Sequence, residues 1–295
     1  MKDIPIINTL NIELRREFGR KMVKLSLDGG FTCPNRDGSK GYGGCIFCSE
    51  RGSGDNASTI DEQITLLSAK WKDAGYIAYF QNFTNTYAPV SRLREIYAGA
   101  LKDPRIEGIA IATRPDCIDD EVLELLEEIS KERFMWIELG LQTIHQKTSS
   151  MINSLFTLEE YNNAVDKLIS RKIKVVTHVI LGLPGESTDD MHKTVEFACK
   201  KDIWGLKLHL LNVIKGTKLA AMYPDFEPFK SRDEYVSLVC DLLEEIPSHI
   251  VMHRLSGDSP AELLISPKWS YRKRLILNDI NAEMKKRGSF QGCRA

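Results

Sequence analysis

The chain has 295 residues, 42% apolar and 27% charged, with a formal net charge of −1. This is an ordinary globular composition with material for one large core, and its length suits one α/β barrel or two smaller domains. Near-zero net charge excludes a global positive field that would draw in nucleic acid, so any RNA contact needs local patches.

Residues 1–21 do not read as a signal peptide: the apolar stretch is short, charges interrupt it, and no small-residue cleavage site follows. No run approaches the roughly 20 apolar residues that span a bilayer. A soluble, cytoplasmic protein is expected. The first strand is Met22–Leu27, followed by a long glycine-rich loop. Ser58 or Thr59 caps a helix to about Lys72, with Asp61 and Glu62 in its first turn. Strand two covers 76–81, a helix Val90–Leu101, and strand three 106–112. Asp119 opens a helix carrying Val122, Leu125, Leu126 and Ile129 on one face. Strand four is 134–139, followed by helical pieces at 145–152 and 158–171. Strand five, Lys174–Leu181, is rich in β-branched residues; a helix over 189–201, strand six at 206–211 and a helix over 233–245 complete the pattern. Residues 250–254 read as a seventh strand, and 269–287 as a basic helix. Six βα units with apolar strands predict an α/β fold, a partial (β/α)6 TIM-like barrel, with a short C-terminal helical extension. On this reading residues 1–249 form the barrel, and 250–295 the strand and helix that close it.

Such folds place their chemistry in loops at the C-terminal ends of strands. Seven cysteines in a chain without a secretion signal argue against a disulfide framework. Three of them crowd into the loop after strand one, Cys33-Pro-Asn-Arg-Asp-Gly-Ser-Lys-Gly-Tyr-Gly-Gly-Cys45-Ile-Phe-Cys48. The glycines let backbone wrap closely round an inorganic centre. Three thiolates suit several metals. A structural zinc normally takes four protein ligands, and no histidine precedes His145. A [4Fe–4S] cluster held by three thiolates leaves one iron open to a small molecule.

The spacing, its place after strand one and the later strand-end segments resemble the radical S-adenosylmethionine (SAM) superfamily. Within it the resemblance is to a bacterial family of uncharacterised proteins related to the elongator catalytic subunit and oxygen-independent coproporphyrinogen oxidase, over nearly the whole chain. The resemblance implies that Cys33, Cys45 and Cys48 hold a [4Fe–4S] cluster and that SAM chelates its open iron. One electron then cleaves SAM to methionine and a 5′-deoxyadenosyl radical, which takes hydrogen from substrate. A flavodoxin or ferredoxin is the implied electron donor.

Residues 81–89 occupy the place of the superfamily's glycine-rich SAM segment but lack its glycines, leaving Thr84 and Asn85 as the best contacts. Thr113-Arg114-Pro-Asp116 matches a family segment whose Arg114 suits the SAM carboxylate or, structurally, an ion pair with Asp116. Glu138 sits in an apolar strand and needs a partner: a ribose hydroxyl, the SAM ammonium or a barrel-internal hydrogen bond. Gln142 faces the same mouth. Ile180 and Gly182 lie in the implied adenine-contacting segment, and His209 and Leu211 at the corresponding end of strand six. His209 is also a candidate proton donor, with a core histidine as the alternative. Lys207, His209 and Leu211 share one face. Lys215, His253, Arg254 and Asp258 are candidate substrate contacts. Where relatives often carry Arg-Gly-His, this chain reads Asn153-Ser-Leu-Phe-Thr157.

For substrate, the resemblance suggests tRNA, with a wobble-uridine side chain converted from carboxymethylaminomethyl to aminomethyl. Two basic clusters are compatible: Arg15, Arg16, Arg20 and Lys21, and Arg272, Lys273, Arg274, Lys285, Lys286 and Arg287. The alternatives are a radical enzyme on a small metabolite and a non-enzymatic zinc or iron–sulfur module.

Overall fold

The computed structural model describes residues 5–52 and 57–295; residues 1–4, the start of the stretch read as lacking a secretion signal, lie outside them. The apolar strand runs pair side by side in one parallel sheet. Its members in spatial order are β1 (Met22–Leu27), β2 (Gly75–Phe80), β3 (Ile106–Thr113), β4 (Phe134–Gln142), β5 (Lys174–Leu181), β6 (Gly205–Leu210) and β8 (Val251–Arg254). The run at 250–254 therefore joins as a seventh parallel strand, pairing Gly205 with Val251. The sheet curls into a half-barrel, the partial TIM-like architecture expected.

Helices cover the outer face: α2 (Ile60–Ser68), α3 (Val90–Leu101), α4 (Asp120–Glu132), α5 (Gln146–Met151), α6 (Leu158–Ser170), α7 (Thr188–Cys199) and α9 (Arg232–Glu245). Their apolar stripes pack on the outward strand residues. Leu125 and Leu126 of α4, Tyr161 and Leu168 of α6 and Leu242 of α9 share one core with Ile109, Ile137, Val175 and Leu208. Local sequence sets the starts. Thr59 caps α2 in a reciprocal box with Glu62, and the Asp119 carboxylate accepts from Val122 N at 2.8 Å. The helix α2 stops at Ser68, before Lys72, because the chain must turn to bring Gly75 N to Lys21 O at 2.9 Å.

Inward strand residues make a second layer. Met22, Ile77, Tyr79, Ala110, Trp136 and Val176 pack with Leu14 of α1 (Leu10–Phe18), which plugs the N-terminal end of the barrel. Sequence periodicity did not identify α1, whose nine residues are half charged or polar. Also unforeseen are α8 (Lys218–Met222) and a small antiparallel pair, β7 (Val213–Ile214) with β9 (Leu264–Ser266). The basic C-terminal helix is α10 (Lys273–Arg287). No helix among the described residues is long and apolar enough to cross a membrane.

The free edge of β8 is covered by the segment before α1, with Met252 N donating to Asn8 O at 2.7 Å. Gln291, buried near the C-terminus, locks this seam. Its amide donates to Pro247 O (3.0 Å) and Ile250 O (2.8 Å) and accepts from Asn8 N (2.9 Å). Gln291→Ala strands these buried groups and should lower stability by about 2–3 kcal/mol, read from urea denaturation; an unchanged midpoint would contradict the clasp.

Candidate active site

The strand C-terminal ends open on a cavity of about 500 Å³. Cys33, Cys45 and Cys48 lie together on its wall. Their loop is held by protein bonds at several points. Gly44 N donates to Asn35 O at 2.8 Å, and Cys48 N to Cys45 O at 3.0 Å. The Asn35 amide lies 3.7 Å from Cys45 Sγ and also reaches Asn153 O. Arg36 spans the carbonyls of Cys48, Ser49 and Glu50 and stacks on Phe83. Gly43 and Gly44 take positive φ, and Lys218 and Arg36 pack where their side chains would stand.

The segment 153–157 completes the clamp. Asn153, at φ 59°, donates to Gly44 O at 2.9 Å; Ile46 N bonds Ile152 O at 3.1 Å; and Ser154 O accepts from Arg114 at 2.8 Å. Its role here is to pin the cysteine loop.

Burial, then the neighbouring Cys48 thiol, push Cys45 up to about 12, so iron must displace its proton. Among the described residues no three His, Cys, Asp or Glu side chains close on a single ion. The three thiols line the same cavity, and three thiolates are one fewer than the four protein ligands a structural zinc takes.

At the end of β2, Thr84 lines the cavity; its hydroxyl is buried without a partner among the described residues, which fits a ligand-facing acceptor. Asn85 instead ties strands together, donating to Phe80 O and Ala112 O, and does not line the cavity. Arg114 lines it while forming a bidentate pair with Asp116, both bonds 2.9 Å. Lys40 joins Asp116 at 2.7 Å. Gln142, at φ 66° in a β4 irregularity, and Ile180, His209 and Leu211 line the cavity. Gly182 lies outside it, in a left-handed turn against Pro228 and Phe229. Of the candidate substrate contacts, Arg254 and Asp258 line the cavity, paired at 3.3 Å, and Lys273 also meets Asp258. Lys215 does not line it. His253 turns away and packs edge-on against Trp204, ring centroids 4.8 Å apart.

The floor holds residues that sequence reasoning had not connected. Glu138 is fully buried. Trp136 donates to one of its oxygens (2.9 Å), with the Lys24 ammonium at 3.7 Å; Tyr79 (2.6 Å), His178 (3.1 Å) and Lys207 meet the other. Burial pushes the Glu138 carboxyl up, but Lys207 and Lys24 outweigh it, and it stays well below the usual range. Burial, then Lys207, hold His178 down to about 4. Burial, then Arg254, keep His209 neutral at physiological pH. A neutral imidazole there accepts or donates a hydrogen bond but carries no imidazolium proton.

Residues 33–198, over half the chain, match the Radical SAM superfamily, and residues 203–286 match the Radical_SAM C-terminal domain. This chain belongs to the radical SAM superfamily. The Bacillus subtilis (strain 168) protein YtqA is 47% identical over 294 residues, 97% of this chain and 91% of its own. Escherichia coli (strain K12) YhcC is 36% identical over 270 residues, 90% of this chain and 87% of its own. Among solved structures, Methanocaldococcus infernus Elp3 superposes with a TM-score of 0.67 at 18% identity, covering 92% of this chain and 64% of that one. At that identity the likeness shows the fold. The chain is a radical SAM enzyme, and its family uses a [4Fe–4S] cluster and SAM. The three thiols and the unpartnered Thr84 hydroxyl fit those groups.

Each of Cys33→Ala, Cys45→Ala and Cys48→Ala should lose most of the roughly four irons and four sulfides expected per chain, while circular dichroism stays unchanged; full iron content in any variant would remove that cysteine from the ligand set. A second expectation concerns acid. Folded His178 stays neutral down to about 4, whereas in the unfolded chain it protonates near 6.5. The unfolded state therefore binds the extra proton between those values, and stability falls as pH drops from about 6.5 to 4. His178→Gln should flatten that limb in urea denaturation at stepped pH.

Proposed function

We propose that this enzyme acts on tRNA, converting the carboxymethylaminomethyl side chain of a wobble uridine to aminomethyl. When bound, the cluster and SAM would supply an electron-driven cleavage of the sulfonium and a 5′-deoxyadenosyl radical. The N–CH2 carbon of the substrate would give up one hydrogen atom to it and one electron back to the cluster, and water would then break the N–C bond, releasing glyoxylate and leaving the aminomethyl group. The chain's own residues do the rest: the clamped loop presents three thiols, the half-barrel excludes water, and the floor orients the group that reacts.

The observation that carries the tRNA reading is the basic rim of the cavity. Asp258 lines the cavity and Lys273 meets it, so Arg272, Lys273 and Arg274 at the start of α10 stand beside the mouth. Lys218 lies over Gly43 of the cysteine loop on another side. Cations so placed suit the phosphates flanking a nucleoside whose base side chain enters the barrel. The other basic residues stand apart. Arg15, Arg20 and Lys21 surround a shallow hollow with Lys70 and Trp71 at the plugged end of the barrel. Lys285–Arg287 end a 15-residue helix about 22 Å long, with Arg287 held by Asp241 and Glu283.

A relative supports the substrate class: the tRNA uridine(34) acetyltransferase of Methanocaldococcus infernus is 26% identical over 167 residues, 55% of this chain and 30% of its own. We take a flavodoxin or ferredoxin as the electron donor, the cytoplasm as the compartment, and residues 250–295 as the extension that closes a barrel of residues 1–249.

The test is anaerobic reconstitution with SAM, dithionite and tRNA from cells lacking the gene, followed by nucleoside analysis. Carboxymethylaminomethyl-uridine should fall, aminomethyl-uridine should rise and 5′-deoxyadenosine should form. 5′-Deoxyadenosine formed with the tRNA side chain untouched would keep the radical chemistry and move the substrate to a small metabolite.

A further inference from the structure

Charge does not balance on the cavity floor. Glu138 is shared by Lys24 and Lys207, and Asp258 by Arg254 and Lys273. Leaving out Lys273, which stands at the mouth, three cations (Lys24, Lys207 and Arg254) meet two carboxylates, and His178 and His209 add no negative charge. The other acid lining this side, Glu262, is exposed at the rim. Lys207 is 1% exposed; burial pulls its ammonium well below the usual lysine range despite Glu138, so positive charge is costly there and a further anion would favour it. Two donors also face the cavity underused. Arg254 has five N–H groups and makes one hydrogen bond among the described residues, to Asp258 at 3.3 Å. His209 lines the cavity with a ring contact to His178 at 5.4 Å and no hydrogen bond among the described residues.

We propose that Lys207, Arg254 and His209 form an anion subsite on the barrel floor that takes a carboxylate of the substrate. The planar guanidinium fork matches two carboxylate oxygens. Lys207 and His209 stand on β6 and Arg254 on β8, at the opposite edge of the sheet from β1 and its cysteine loop, so the subsite draws on other strands than the cysteine wall. That this anion is the carboxymethylamino terminus of a wobble uridine rests on the tRNA reading above; the subsite itself rests on the charge count.

The test compares binding of two tRNAs to anaerobic holoenzyme, one with carboxymethylaminomethyl-uridine at the wobble position and one with aminomethyl-uridine. Wild type should prefer the carboxylate-bearing tRNA by about tenfold, the worth of one charge-assisted bond. Arg254→Gln should reduce that preference to near equality. Lys207→Met should do the same, but it can fail to fold because it leaves Glu138 short of a cation, so Arg254→Gln is the deciding variant. Equal wild-type affinity for the two tRNAs overturns the subsite. If neither tRNA binds, the wobble reading fails, and the subsite is decided by small probes. N-methylglycine at tens of millimolar should then raise the holoenzyme Tm where N-methylglycinamide does not, and Arg254→Gln should abolish the difference. Equal effects of the two probes in wild type overturn it as well.

Discussion

Five strands of the half-barrel meet on one carboxylate. Lys24 from β1, Tyr79 from β2, Trp136 from β4 itself, His178 from β5 and Lys207 from β6 all converge on Glu138. A lone carboxylate in that interior would cost several kcal/mol, so the site exists only because each strand delivers a donor at the same height. Parallel register makes that delivery possible: Ala112 pairs with Glu138, and Glu138 with Val176. Shifting any strand by one residue would point its donor into the helix layer. Below this polar layer the interior is apolar and plugged by α1; above it, the cavity opens to the cysteine loop. The same carboxylate therefore separates the part of the barrel that gives stability from the part that holds ligands.

Much of this was legible in the sequence, for identifiable reasons. Strands such as Lys174–Leu181 are short apolar, β-branched runs between turn residues, and helices such as α4 carry an unmistakable apolar stripe behind a capping aspartate. The three cysteines stand out by crowding and by their place after β1. The alternation that put Lys207, His209 and Leu211 on one face was also readable. Glu138 was recognisable as a residue in need of a partner.

What stayed hidden depended on long-range pairing. Lys207 and Tyr79 are 128 positions apart, yet their side chains bond at 3.0 Å; nothing local to either announces the other. Asn85 and Gly182 lie off the cavity lining, Asn85 bonding Phe80 O and Ala112 O and Gly182 in a turn against Pro228 and Phe229; such directions are set by turn geometry that spacing alone does not reveal. His253 and Arg254 are neighbours in the chain, but a register shift in β8 pairs Arg254 with Lys207 at the cavity while His253 packs on Trp136 and Trp204. The short helix α1 escaped notice because Leu10, Leu14 and Phe18 are too few apolar positions to stand out among its charges.

The clamp around Cys33–Cys48 shares out the work of shaping the loop between chain and ligand. Arg36, Asn35 and Asn153 fix the loop through bonds to backbone carbonyls, using no metal–sulfur bond to do so. Small zinc modules acquire their fold from the metal itself; here much of the loop's shape comes from the chain's own hydrogen bonds. Each such bond lowers the ordering entropy that ligand binding at the three thiols has to overcome, so Arg36 and Asn153 act on the site's affinity without touching a ligand.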